Sequence, residues 1–371
     1  MTPPQRNSLT TCCRTRRSIL GIQRVACLSL VASITFGLTG IAASPDLPPI
    51  TVDASIPSSE TLQSTSRIGS LGIPQDRLWM FSTRGMQTSV CAAPLESPNF
   101  RVYQLDTCGR IHPSSLDMYL ASRQSDRPTV VYVHGNRVDS SAKAIERTLA
   151  VYRSVRRYQH CTGQFGGSID WVLWSWPSER QGFGLNDVRI KAARTDTQGL
   201  YLAWLLREHV KASQPTSMIG YSFGGRVITG ALHAMAGGTL GRRQLPGEKV
   251  TGAAIDIGLV APALEDDWLA ERGYHRLATQ NLDSIHLLYN RRDVVLKNYW
   301  RLDRIRNADA LGYSGPSRFA PRYDGTRLPV RARDCAAVVG RHHSEMDYYT
   351  SNCGAGPTMQ TVIDHCLFPN P

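Results

Sequence analysis

The sequence predicts an α/β fold with a mostly parallel central sheet and helices on both faces. Three observations carry that expectation. From residue 128 onward, near-continuous apolar runs alternate with stretches of helical spacing. No internal repeat breaks the alternation, and no second domain is required. One apolar run, 216–222, ends in a Gly-X-Ser-X-Gly turn that opens into a helical pattern.

The elements follow in order. "RLWMFST" (77–83) and "FRVYQL" (100–105) read as two strands joined by a longer loop. "SSLDMYLASRQ" (114–124) reads as a short helix with a serine cap. "PTVVYVHGN" (128–136) is an apolar run of the kind expected of a parallel strand buried on both faces. A helix over 141–158, a strand over 169–177 and a long helix over 188–212 come next. The strand 216–222 leads into a helix over 224–236. The segment 250–263 begins as a strand, 266–278 has helical spacing, and 284–290 is the last clear strand.

The N-terminus has a different character. Five arginines, at 6, 14, 16, 17 and 24, precede an apolar run from Val25 to Ala43, and no acid occurs before Asp46. That order predicts a signal peptide or N-terminal membrane anchor over 1–43, hence a periplasmic or extracellular protein. "TRRSIL" (15–20) resembles a bacterial twin-arginine signal, though the gap before the apolar run is short. Val25-Ala26-Cys27 is not a lipoprotein box, because Arg24 stands where an apolar residue belongs. Residues 44–75, rich in Ser, Pro and Thr, read as a low-order linker, leaving 76–371 as one domain.

Removing 1–43 takes five basic residues and no acid from a net charge of +12, leaving +7. The remaining bases are scattered, without aromatics between them, which argues against nucleic-acid binding. Nine cysteines become six, an even number that suits disulfides in an exported chain. Sequence does not choose among the roughly 15 pairings that six cysteines allow, and Cys91–Cys108 and Cys353–Cys366 are the local guesses. No Cys/His cluster has zinc spacing, so no metal is expected.

Ser222 carries the chemistry. It sits between Gly220 and Gly224, at the end of a strand and the start of a helix. A turn that tight leaves no room for bulk two residues either side, and it lifts the hydroxyl into the cleft above the sheet. The following N–H, of Phe223, lies at the helix N-terminus, where it can stabilise an oxyanion. A serine needs a base, and the base needs an orienting acid, in the chain order Ser, acid, His. Asp293, just past the strand 284–290, is the acid, with Asp266 and Asp267 as rivals. His343 is chosen over its neighbour His342 as the base. Asn136, after the 128–136 strand, supplies the second oxyanion N–H. His134 is structural, shaping that loop through its ring nitrogens.

Together these segments resemble the α/β-hydrolases over about 128–350. More narrowly, "VHGN", "WSWPSE" (174–179) and "GYSFGG" resemble an uncharacterised bacterial branch of that superfamily with HGxN, WPS and GxSxG segments. The departure is Gly-Tyr at 220–221, where that branch often has a small residue and His. The resemblance implies an α/β-hydrolase fold, a Ser222–Asp293–His343 triad and no cofactor. A serine esterase acting on a small-molecule or lipid-like acyl compound is the first expectation. An inactive binding or scaffold protein of the cell envelope is the second.

Other motifs are weaker. "SSAK" (140–143) fits an SxxK pattern, but its companion segments are absent, so it reads as a helix start. Trp171, Trp174 and Trp176 read as one buried strand face rather than a pocket lining. The region 300–335 is a candidate cap over the cleft.

Overall fold

The computed structural model describes residues 76–158, 167–302 and 306–367, which lie within a compact unit spanning Pro74–Pro371. The expected signal or anchor over 1–43 and the linker over 44–75 lie outside the described residues.

Among the described residues nine strands form one sheet in the order β3-β2-β1-β5-β4-β6-β7-β8-β9. They are β1 (Arg77–Ser82), β2 (Arg101–Leu105), β3 (Ile111–Ser114), β4 (Thr129–Val133), β5 (Asp170–Ser175), β6 (Thr216–Tyr221), β7 (Ile255–Val260), β8 (Leu282–Tyr289) and β9 (Val330–Asp334). From β1 through β9 every neighbouring pair is parallel, and only β1–β2 and β2–β3 are antiparallel. The helices are α1 (Leu116–Ser122), α2 (Ser141–Arg156), α3 (Gly184–Lys211), α4 (Phe223–Met235), α5 (Leu311–Ser314), α6 (Ala336–Val339), α7 (Glu345–Thr350) and α8 (Ala355–Leu367). This is an α/β architecture, a mostly parallel sheet with helices on both faces.

Local chemistry explains the boundaries. Ser115 caps α1 by accepting from the Met118 N–H, and Ser140 caps α2 by accepting from the Lys143 N–H. The SxxK serine is therefore a helix cap. Strands β4, β5, β6 and β7 are buried at every position, as their apolar runs require once helices cover both faces.

The three tryptophans divide between layers. Trp171 Nε1 donates to Thr148 Oγ1 on α2 at 2.9 Å, whereas Trp174 Nε1 donates to Gln198 Oε1 on α3 at 3.1 Å. They point to opposite faces of β5 rather than one, and none of the three lines the cleft around Ser222.

Several expectations are corrected. The segment 266–278 is no continuous helix: it is a chain of turns up to His275, and a short 3-10 helix starts only at Arg276. Gly273 packs so closely on the Asp267 and Trp268 carbonyls that a Cβ there would overlap them. Strand 284–290 is not the last, because β9 follows, and β3 was also unforeseen. Both unforeseen strands are edges. β3 contains Pro113 and β9 is arginine-rich and mostly exposed, so neither shows a buried strand's apolar pattern. The disulfide joins Cys335 to Cys353, not Cys353 to Cys366, and Cys108 forms none with Cys91. Sequence proximity misled here: Cys366 lies on α8, while Cys335 directly follows β9.

One buried ion pair ties the start of the sheet together. Arg77 Nε and Nη2 donate to the two oxygens of Asp170, each at 2.6 Å, across the first rung of β1 and β5. The Asp170 side chain is fully buried, and burial raises its pKa against the pull of Arg77. Arg77→Met removes the counter-charge and leaves the carboxylate stranded, with an expected loss of about 3 kcal/mol in urea unfolding. A loss below about 1 kcal/mol would show that Asp170 does not depend on Arg77.

Candidate active site

The strand order reverses beside β4, since the chain runs from β4 outward to β5 and then back across to β6. Loops leaving the C-terminal ends of β4 and β6 therefore diverge, and a crevice opens between them. Gly135 and Asn136 follow β4, and Ser222 follows β6.

Ser222 has φ 52° and ψ −117°, a backbone that side-chain-bearing residues seldom adopt. Two glycines permit it. A Cβ on Gly224 would overlap the Val133 carbonyl oxygen, and one on Gly220 would lie 2.7 Å from Ile228 Cδ1. Gly135 answers to the same crowding, with the Tyr221 ring 2.7 Å from where its Cβ would sit. The turn is pinned by the sheet. The Ser222 N–H donates to Val260 O at 3.0 Å, and the Ser222 carbonyl accepts from Gly225 and Ala263.

The structure brings the three predicted side chains together. His343 Nε2 lies 3.0 Å from Ser222 Oγ, and His343 Nδ1 lies 2.6 Å from Asp293 Oδ2. Asp293 is completely buried, and its other oxygen accepts from the N–H groups of Val295 and Leu296 at 2.9 and 3.0 Å. These bonds fix the carboxylate's orientation. The rivals stand elsewhere. Asp267 pairs with Arg306, and neither Asp266 nor Asp267 lines the cleft. The His342 side chain is 76% exposed and contacts Asp347 at 3.2 Å.

The two backbone positions predicted to hold an oxyanion face the same cleft. Phe223 is the first residue of α4, so its N–H has no acceptor within the helix. Asn136 lies in the loop after β4 and is partly exposed.

That loop is braced from behind. His134 is buried, its Nδ1 lies 2.8 Å from Gly135 O, and its Nε2 accepts from the Trp176 N–H. Trp176 Nε1 returns a bond to His134 O at 2.9 Å. Burial lowers the His134 pKa to about 3, so the ring is neutral and carries its proton on Nδ1.

Four contributors went unrecognised in the sequence. Tyr221, the residue that departs from the bacterial branch, stacks on the His343 ring at 5.3 Å and donates from Oη to His343 O at 3.1 Å. Asn290 ties the end of β8 to the histidine loop through Gly340 O at 2.8 Å. Glu345 is buried two residues past His343, with Tyr132 Oη 2.9 Å from both its oxygens and Arg147 Nε at 3.8 Å. Arg226, on α4, holds Tyr299 Oη at 2.8 Å behind the cleft wall. Only Tyr221 had a sequence signal, since it stands where the bacterial branch often has His while leaving the elbow intact.

The cleft has a volume of about 630 Å³. Ser222 and His343 lie on its floor side, with apolar wall from Leu185, Val188, Val294 and Leu302. The proposed cap, 300–335, contributes Arg301 and Leu302, while Pro316–Val330 borders a separate groove. Among the described residues no cluster of His, Cys, Asp and Glu is arranged to hold a metal ion.

Glu345 gives the site a measurable pH signature. Burial raises its pKa from 4.5 to about 7, against opposing contributions from Arg147 and Tyr132. The folded chain then binds the proton more tightly than the unfolded chain. Stability from this group is full below about pH 4.5 and is lost as pH rises toward about 7, by up to about 3 kcal/mol. Glu345→Gln does not titrate, so its stability relative to wild type should improve from pH 5 to pH 8. Urea unfolding at both pH values checks this. An unchanged difference between the two proteins would mean that Glu345 does not titrate in that window.

No family model and no curated protein matches the chain. Among solved structures, it is similar to Thermogutta terrifontis esterase 2 phosphoramylated by tabun, with 12% identity, a TM-score of 0.29, and 64% of this chain and 80% of that one covered. The butyrate-bound form of that esterase gives 12%, 0.30, 64% and 80%. Esterase B from Lactobacillus rhamnosis, inhibited by a C4-C4 SN3 tributyrin phosphonate, gives 13%, 0.33, 80% and 88%.

Proposed function

We propose that this protein is a serine hydrolase that cleaves carboxylic esters through an acyl-enzyme intermediate. The observation that carries the reading is the continuous contact from Ser222 Oγ through His343 to Asp293, at 3.0 and 2.6 Å, on a strained strand-to-helix turn. His343 accepts the Ser222 proton at Nε2 while Asp293 holds its Nδ1–H. Ser222 Oγ attacks the carbonyl carbon, and the developing oxyanion is received by the Phe223 and Asn136 N–H groups. Each such donor is worth about 3 kcal/mol. His343 then protonates the leaving alcohol as the tetrahedral intermediate collapses. Water, deprotonated by His343, attacks the acyl-enzyme, and Ser222 departs with its proton restored.

Apolar wall around the cleft suits the hydrocarbon of an acyl chain, and its size admits a small-molecule ester. The Cys335–Cys353 disulfide is compatible with an oxidising compartment, so we place the protein outside the cytoplasm.

A fluorophosphonate probe and a p-nitrophenyl ester panel test the reading. Ser222→Ala should abolish labelling, and His343→Ala should lower kcat/KM at least about 10³-fold with thermal unfolding preserved. His342→Ala should stay within about threefold, because its ring contacts Asp347 rather than Ser222. Folded protein that neither labels nor turns over any ester would favour the binding or scaffold reading instead.

A further inference from the structure

We propose that the ester taken by this cleft carries an anionic oxygen group, a carboxylate or sulfonate-like anion, and that Arg147 receives it. The proposal rests on the serine-hydrolase reading and names its substrate class. Three arginines line the same cavity as Ser222 and His343, from three different elements: Arg137 after β4, Arg147 on α2, and Arg301 at the end of the turn Leu296–Arg301. Glu345 is the single acid among the lining residues. Asp187, whose charge reaches Arg137, is already paired with Lys191 at 2.7 Å. Asp293 is buried behind His343.

Arg147 is the unusual member. Its side chain is only 28% exposed, so it is partly withdrawn from water. Yet its contact with Glu345 is 3.8 Å, beyond hydrogen-bonding distance, and its guanidinium makes no hydrogen bond among the described residues. Other arginines withdrawn from water are fully engaged, although Arg84 and Arg226 are more deeply buried than Arg147. Arg84 bonds Ser175, Glu179 and Val138, and Arg226 bonds Thr195, Tyr299 and Ala192. A planar guanidinium with open donors in a half-dry cleft is matched by an anion that accepts two parallel bonds. Glu345 cannot be that anion at this distance, because Tyr132 holds both its oxygens. The cleft thus offers apolar wall for hydrocarbon and cationic wall for an anion, which selects an amphipathic ester.

Paired esters read this directly. Mono-p-nitrophenyl glutarate against p-nitrophenyl butyrate places the anion on the acyl side. Butyryloxybenzenesulfonate against phenyl butyrate places it on the leaving side. In at least one pair, kcat/KM for the anionic ester should exceed the neutral one by about tenfold at low salt. The preference should shrink in about 0.5 M NaCl, where exposed charges are screened. In Arg147→Gln the ratio of anionic to neutral kcat/KM should fall to about one, and Arg147→Lys should restore part of it. If Arg147→Gln fails to fold with Glu345 unpaired, the double variant Arg147→Gln/Glu345→Gln removes both charges and serves the same comparison. Ratios at or below one in the wild type, or an unchanged ratio in the folded variant, overturn the proposal. Continued labelling of Ser222 in those cases leaves the hydrolase reading standing. Absence of both labelling and turnover defeats that reading, and the proposal with it.

Discussion

The strained turn at Ser222 sets the geometry on which the rest of the site depends. A backbone at φ 52° and ψ −117° costs on the order of 1–3 kcal/mol, and it persists because the surroundings leave no alternative. Three backbone hydrogen bonds tie Ser222 to β7, to the loop that follows β7 and to α4. The Val133 carbonyl closes against Gly224 and the Tyr221 ring closes against Gly135. β4, β6 and β7 thus grip the turn from both sides. The strain is therefore maintained by the most deeply buried strands of the sheet, and the hydroxyl is delivered to the switch-point crevice as a result of strand order.

The other two groups are positioned by different means. Asp293 sits in the turn past β8, fixed by two backbone N–H groups on its spare oxygen. His343 belongs to no strand or helix, lying between Gly340 and the start of α7. Buried polar neighbours take over the work that a sheet performs for the serine. Tyr221 is a neutral phenol, its pKa raised well above 10 by burial, so it remains a donor to the His343 carbonyl across the working pH range. Neutral His134 does the same for the facing loop, with both ring nitrogens used. In each case burial suppresses a charge that would otherwise compete with the chemistry nearby.

Much of this was legible in the sequence because it follows from local chemistry. The runs "TVVYV" and "TSMIGY" announce doubly covered strands, and Gly220-Tyr221-Ser222-Phe223-Gly224 announces a turn that only small flanking residues allow. Chain order and a strand end pointed to Asp293 over Asp266 or Asp267, a His-Ser pair ahead of the last helical pattern pointed to His343 over His342, and those residues do meet. What the sequence hid is long-range. The edge strands β3 and β9 obey no burial pattern, because an edge needs hydrogen bonds rather than an apolar face. In the 266–278 segment Trp268 and Leu269 are buried by consecutive turns, and a 3-10 helix starts only at Arg276. Nothing local links Arg147 to Glu345, which are brought together only when α2 packs beside α7.

The disulfide connects the site to the compartment. Cys335 and Cys353 bracket the segment that contains His343, and closing a loop of that length removes roughly 3 kcal/mol of unfolded-chain entropy. Within the bracket, Asn290 anchors Gly340 and Tyr221 anchors His343. One covalent tie and two hydrogen bonds thus hold the segment whose imidazole contacts both Ser222 and Asp293. Reduction opens the covalent tie and leaves the hydrogen bonds of Asn290 and Tyr221, each worth about 1 kcal/mol, with the Val294–Arg341 backbone bond and the Tyr132–Glu345 contact beside them. Ser222 and Asp293 lie outside the bracketed segment. The bond thus stabilises the fold around the segment that carries the base, and it is of the kind that persists in oxidising surroundings.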